Sequence, residues 1–191
     1  TFNFYLPFNS PDPKLVTKAT QKTFDKFPQL ASVFEEKHNQ KLLSISCVGN
    51  YGLGTSFAWK NFSDLKGHKL AGAGANLNWI KGATPVSSNL NEAYNAIQTG
   101  VYEGYIIFPG SWYGFKLHEV GKYFTKTDFG AMAIHAMTIN LNKWKKLDKD
   151  VQNILIEMGK EFSNKVAEEC VNFGIKGEAK LKSAGVTISQ I

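Results

Sequence analysis

From Val151 to Cys170 the apolar residues keep the period of an α-helix. Val151, Ile154, Leu155, Met158, Phe162, Val166 and Cys170 fall on one stripe, which predicts a long amphipathic helix. Such a helix needs a core to bury its stripe, and the preceding chain supplies strands for one. Lys41 to Val48 (KLLSISCV) reads as a buried strand closed by Gly49, with a turn at Gly52 and Gly54. Lys69 to Ala71, Tyr102 to Phe108 and Ala131 to Asn140 read as further strands, and Gly185 to Ile188 as a last short one. Helical stretches lie between them, so the class is α/β.

Leu15, Val16 and Ala19, then Leu30, Val33 and Phe34, suit two short helices separated by Pro28 and reaching Lys37. The opening Thr1 to Phe8 is an aromatic-rich extended piece. Ser63 to Gly67 reads as a helical turn and Asn76 to Lys81 as a short helix. Asn89 to Thr99 is a firmer helix stopped by Gly100, and Ser111 suits the cap of a helix through Val120. Trp144 falls on a short helix before Leu147-Asp148. No internal repeat or low-complexity tract interrupts the 191 residues, enough for one or two small domains.

The formal charge of +6 comes from 22 basic and 16 acidic residues, and every basic residue is lysine. Arginine is the residue suited to forked binding of phosphate and to base readout, so nucleic acid is excluded as a partner. No apolar run is long enough to cross a bilayer. Thr1 does not open a basic, apolar, small-residue leader, which leaves a cytosolic chain or a mature or truncated one. Cys47 and Cys170 stand far apart with no CxxC, so burial as small apolar groups is expected of them, a single bridge between them being the other option.

The chemical motifs are weak. Gly72-Ala73-Gly74 follows a strand and precedes a helix, but Leu77 stands where a dinucleotide fingerprint has its third glycine. A close backbone approach to a small ligand suits that turn better. His38, His68, His118 and His135 are isolated from one another, so no metal site is legible. Ser111 lacks the flanking glycines of a nucleophile elbow, with Pro109 two before it and Tyr113 two after. Neither catalytic residues nor a cofactor are expected. Tyr105, Phe108, Trp112, Tyr113 and Phe115 form a dense aromatic group, which suits a core or the lining of an apolar pocket.

The segment from Asn61 to Gln152 resembles the solute-binding subunit of TRAP transporters, the DctP-type periplasmic proteins. The residues that carry this are Asp64-Leu65-Lys66-Gly67-His68-Lys69-Leu70, Gly82-Ala83-Thr84-Pro85-Val86, the run from Asn91 to Gly104, Lys116 to Tyr123, and Asn140 to Gln152. Each is weak alone; five in the family's order form a specific signal, and Leu6-Pro7-Phe8 and the long helix extend it over nearly the whole chain. The resemblance implies a periplasmic-binding-protein-like fold with two α/β lobes around a ligand cleft. It implies a first lobe from 1–48 and 133–172 and a second from 49–132 and 173–191, with family residues before and after this chain. It also implies a periplasmic location, no enzyme activity, capture of a small organic solute, and delivery to TRAP membrane subunits, with membrane contact only through those proteins. A module that signals to a partner protein is the alternative.

One departure bears on the ligand. The family usually has an arginine that clamps a substrate carboxylate in two parallel hydrogen bonds, and Ala71 stands there. Ile107 replaces a polar asparagine three residues after Gly104, and Tyr51 falls near a further arginine of some acid binders. A charged hydrogen bond is worth about 1.5–3 kcal/mol, so losing one costs a carboxylate about tenfold to a hundredfold in affinity. A more apolar or aromatic solute is therefore expected, held by Tyr51, Leu90, Phe108 and Trp112 with Ile107 beside it, and oriented by the backbone from Ala71 through Gly72 to Gly74. Lys69 shares a strand face with Ala71 and offers a substitute cation.

Overall fold

The computed structural model describes residues 7–191, so most of the extended piece expected at Thr1 to Phe8 lies outside the described residues. The chain divides into two compact units. Among the described residues one is built from Asp12–Gly49 and Ala131–Val171, the other from 7–11, Asn50–Gly130 and Asn172–Ile191.

In the first unit, helix α1 (Pro13–Lys26) starts as its sequence requires. Asp12 caps it by accepting from the Lys14 amide at 2.8 Å, and Pro13 takes the first turn, where no N–H is needed. Helix α2 (Gln29–His38) follows Pro28 and ends on Asn39 in the left-handed region, φ 52°. The Asn39 carbonyl accepts from the Leu141 amide at 2.9 Å. Strand β1 (Gln40–Thr55) begins here and continues into the second unit.

The second unit holds most of a six-stranded sheet of order β3-β2-β4-β1-β5-β6, with β2 Lys69–Gly72, β3 Thr84–Ser87, β4 Gly104–Ile107, β5 Tyr123–Asn140 and β6 Thr187–Gln190. β3, β2 and β4 are mutually parallel, and β1 meets β4 antiparallel with Gly52 opposite Ile107. Helices α3 (Ala93–Gln98), α4 (Pro109–Gly114) and α5 (Leu117–Val120) connect them, α6 (Leu141–Trp144) follows β5, and α7 (Lys149–Ser183) runs 35 residues.

Three expectations fail for identifiable reasons. Gly52 and Gly54 are not a turn; β1 runs straight through them. A Cβ on Gly52 would lie 2.8 Å from the Phe124 ring, and one on Gly54 would enter the Trp112 indole. The glycines are room for rings, not bends. The helix expected from Ser111 to Val120 is two helices, broken where Lys116 turns left-handed at φ 58°, and its cap position is Phe108. The period along α7 is right, but its buried side is not the apolar stripe. Val151, Ile154, Met158 and Phe162 are exposed, whereas Gln152, Gly159, Ser163 and Ala167 are buried. Leu43 of β1 explains this: its carbonyl oxygen comes so close to Gly159 that a methyl group there would collide with it. Small residues permit that approach.

Cys47 and Cys170 are both free and lie in the first unit, where the Cys170 thiol reaches the Cys47 carbonyl at 3.5 Å. Burial pushes the Cys47 thiol up to about 11. These are packed thiols, as a small apolar side chain would be.

Candidate functional site

The pleat of β1, β2 and β4 decides which side chains meet. Successive residues face opposite sides of a sheet. On one side lie Ala71, Tyr105 and Ile107, in one cluster with Trp112 and Phe124, and Gly52 and Gly54 make room for those two rings. Leu90 and Phe108 pack against the same cluster and are half-buried. Tyr51 and Gly72, one residue off in their strands, face the other side.

Trp112 is fully enclosed. Its indole N–H donates to the Gly121 carbonyl at 3.3 Å, and its ring lies 6.3 Å from Phe124. Ala71 is likewise fully buried and pairs in register with Tyr105. Of the residues expected at a solute, Ala71, Leu90, Ile107 and Trp112 thus form or adjoin one packed core. Tyr51, Gly72 and Gly74 lie outside that cluster; Tyr51 is itself buried, and Phe108 reaches both it and the cluster. Lys69 is exposed.

The second gathering lies at the carboxyl ends of β2 and β4. β2 ends at Gly72, whose carbonyl accepts from the Ser88 amide at 3.2 Å. Gly74 follows at φ 88°, a conformation that favours glycine, and opens a 3₁₀ turn over Ala75–Trp79. That turn has three residues per revolution, so Asn76 and Trp79 project from the same side. Trp79 meets the Tyr51 ring edge-on at 5.3 Å and the Phe129 ring at 5.4 Å, while Tyr51 lies 4.3 Å from Phe108 at the end of β4. Asn76 is 2 % exposed and its Oδ1 has no hydrogen-bond partner. A Cβ on Gly72 would come within 2.5 Å of that oxygen, so in this arrangement the amide takes the space a side chain at 72 would use.

Ser88 ties the strand ends together. Its carbonyl accepts from the Tyr105 hydroxyl at 2.8 Å, and its hydroxyl pairs with that of Tyr102 at 3.1 Å. Burial pushes the Tyr105 hydroxyl up to about 12, aided by Tyr102 and Glu92 nearby, so both tyrosines remain neutral props at physiological pH. His68 stacks on Phe57 at 3.6 Å and bonds Glu103 at 2.9 Å. Among the described residues no group of three or more His, Cys, Asp or Glu is placed to hold a metal ion.

Asn76, Trp79 and Phe129 were not singled out from the sequence. The three-residue spacing of Asn76 and Trp79 is a signal for the first two, once the segment is known to be a 3₁₀ turn rather than an α-helix. Phe129 lies 50 or more residues further along, and no local pattern ties it to them.

Rings, glycines and one buried amide thus gather at the carboxyl ends of the parallel strands β2 and β4 in an α/β fold. The family of bacterial extracellular solute-binding proteins, family 7 (DctP), matches residues 2–191, and the chain belongs to it. This is a family of solute-binding proteins, not of enzymes. A solute-binding protein of Sulfitobacter sp. (strain NAS-14.1) is 28 % identical over 160 residues, 81 % of this chain and 48 % of its own length. The C4-dicarboxylate-binding periplasmic protein DctP of Rhodobacter capsulatus is 30 % identical over 109 residues, 56 % of this chain and 32 % of its own. The chain spans about half, or less, of these curated relatives. Among solved structures, a TRAP periplasmic solute-binding protein from Escherichia fergusonii in an apo open state superposes with a TM-score of 0.85 at 25 % identity, over 98 % of this chain and 64 % of that one. One from Desulfovibrio salexigens with bound orotic acid gives 0.83 at 21 %, over 98 % and 61 %.

Proposed function

We propose that this chain serves a TRAP-type uptake system: it captures a small organic solute outside the cytoplasm and presents it to the transporter's membrane subunits. The solute is more apolar or aromatic than a simple dicarboxylate. One observation carries this reading, the contact of the Tyr51 ring with Phe108 at the end of β4 and with Trp79 on the turn that follows β2. Open α/β sheets bind ligands beyond the carboxyl ends of their strands, and aromatic walls with few polar groups are the usual lining of a small-molecule site.

Gly72 and Gly74 bring bare backbone to the solute, and the half-buried Phe108 offers ring surface with the buried Tyr51 packed against it. Ala71, Leu90, Ile107 and Trp112 act from behind, as the packed layer that fixes where β2 and β4 end. Solved TRAP periplasmic solute-binding proteins of similar fold include ones with D-glucuronate and orotic acid bound. In this chain Ala71 carries no charge with which to hold such an acid. Calorimetric titration of the purified chain with D-glucuronate, orotate and 4-methylphenol tests the reading. The phenol is expected to bind more tightly than either acid. Submillimolar binding of an acid with an inert phenol refutes the apolar-solute reading.

A further inference from the structure

Building on the site proposed above, we propose that Asn76 is its polar anchor, and that the solute carries an N–H or O–H donor on an otherwise apolar ring. Asn76 is 2 % exposed, yet its Oδ1 has no partner. Buried polar atoms are almost always paired, so an orphaned one is a place where a water or a ligand donor can complete the bond. The direction of the amide is set. It packs against Gly72, where a Cβ would come within 2.5 Å of Oδ1, so the missing side chain at the end of β2 is what gives this oxygen its place. The 3₁₀ turn puts Trp79 on the same side, and Trp79 leads through Tyr51, at 5.3 Å, to Phe108, 4.3 Å from Tyr51. The acceptor and the rings therefore serve one face.

The chemistry follows from what Oδ1 is. A carbonyl oxygen accepts; it gains nothing from a carboxylate, which presents lone pairs to lone pairs. A phenol, an amide N–H or a ring N–H satisfies it. The site thus selects for a donor at the edge of a ring, the opposite of the acceptor that an arginine clamp selects.

The test uses a matched pair, 4-methylphenol and 4-methylanisole, which differ by the presence of the O–H donor. Each is titrated into the ¹⁵N-labelled 191-residue chain, following the Asn76 side-chain amide and the Trp79 indole resonance. One neutral hydrogen bond predicts that 4-methylphenol binds about fivefold more tightly. In Asn76→Leu that preference disappears while 4-methylanisole still binds. In Asn76→Asp, which keeps an acceptor, the preference persists, and this variant and the wild-type pair decide the matter where Asn76→Leu does not fold. Equal affinity of the pair for the wild type, or an undiminished preference in Asn76→Leu, overturns the anchor role and leaves the aromatic site standing. Absence of any shift at Trp79 with either compound removes the aromatic site, and the anchor with it.

Discussion

Gly54 and Trp112 offer the sharpest test of how the core of the second unit is built. A Cβ on Gly54 would enter the Trp112 ring, with three ring carbons in its way. Trp112 cannot retreat, because it is fully buried and its indole N–H is held by the Gly121 carbonyl at 3.3 Å. Gly54→Ala therefore overpacks the core, at a cost of about 1–3 kcal/mol. Trp112→Ala leaves a cavity and an unpaired Gly121 carbonyl, and costs about 3–5 kcal/mol. In the double variant the new methyl group points into the vacated space, so the Gly54 penalty falls close to zero. The expected coupling is thus about 1–3 kcal/mol, the whole single-variant penalty of Gly54→Ala. Urea unfolding of the four proteins, followed by circular dichroism with unchanged slopes, measures it. If Gly54→Ala costs the same with and without Trp112, the indole does not occupy the space over Gly54, and the explanation for glycine inside a strand fails.

Four further outcomes are expected. Cys47, with its thiol buried and pushed up to about 11, stays unmodified by iodoacetamide at pH 8 in the native chain and reacts on denaturation; rapid native labelling at Cys47 contradicts its burial. Tyr105, raised from 10.0 to about 12 by burial, keeps its proton in the folded chain where the unfolded chain loses it. Stability is therefore lost as pH rises from about 10 toward 12, and Tyr105→Phe flattens that loss while costing about 0.5–1.5 kcal/mol at neutral pH through the bond to Ser88; an unaltered alkaline profile in the variant counts against this. Asp64 is held below its usual 3.8 by the backbone amides of Lys60 and Asn61, so its contribution is present above that pH and fades as pH falls through the lowered value. Acid unfolding of Asp64→Asn should begin from a less stable state and show a shallower pH dependence. On α7, Gly159→Ala collides with the Leu43 carbonyl and should cost about 1–3 kcal/mol, whereas Met158→Ser, at a side chain 59 % exposed, should change stability by less than about 0.5 kcal/mol; thermal melts that reverse this order refute the assignment of the helix faces.

Local signals were legible where one residue type does one physical task. Asp12 followed by Pro13 starts α1, Pro28 parts α1 from α2, and Gly100 takes the left-handed φ of 72° that ends α3. The α/β class followed from alternating patterns, and the family from five ordered motifs. What escaped the sequence depends on contacts between distant residues. Glycine means a bend when read alone, but at Gly52 and Gly54 it means a ring from Phe124 or Trp112, some 60 to 70 residues away. The helical period of α7 was visible, but which stripe faces inward was decided by Leu43, more than 100 residues earlier. The candidate site shows the same division. Gly72, Gly74 and Phe108 were named from their residue types and Tyr51 from the family resemblance, whereas Asn76 and Trp79 needed the observation that their segment winds with three residues per turn.

The pleat of β1 joins these points. Gly52 and Gly54 share one side, which frees that side for Trp112 and Phe124, and this fixes Tyr51 on the other side, against Trp79 and Phe108. A slip of one residue in β1 would put Tyr51 into the space held by the core rings and leave glycines facing the 3₁₀ turn. The register Gly52 to Ile107 is therefore specified twice, by a core that excludes side chains and by a ring cluster that requires one. Ala71 follows from the same geometry on β2. It lies on the core side, buried against Tyr105, while Gly72 turns the bare end of the strand toward Asn76. On the proposed reading, the polar group offered to the solute sits on the turn after β2 instead of at Ala71, where the resembled family has its arginine, and it is an acceptor instead of a donor. On that reading a swap of ligand chemistry needs a small residue at the clamp position and an acceptor on the turn that follows.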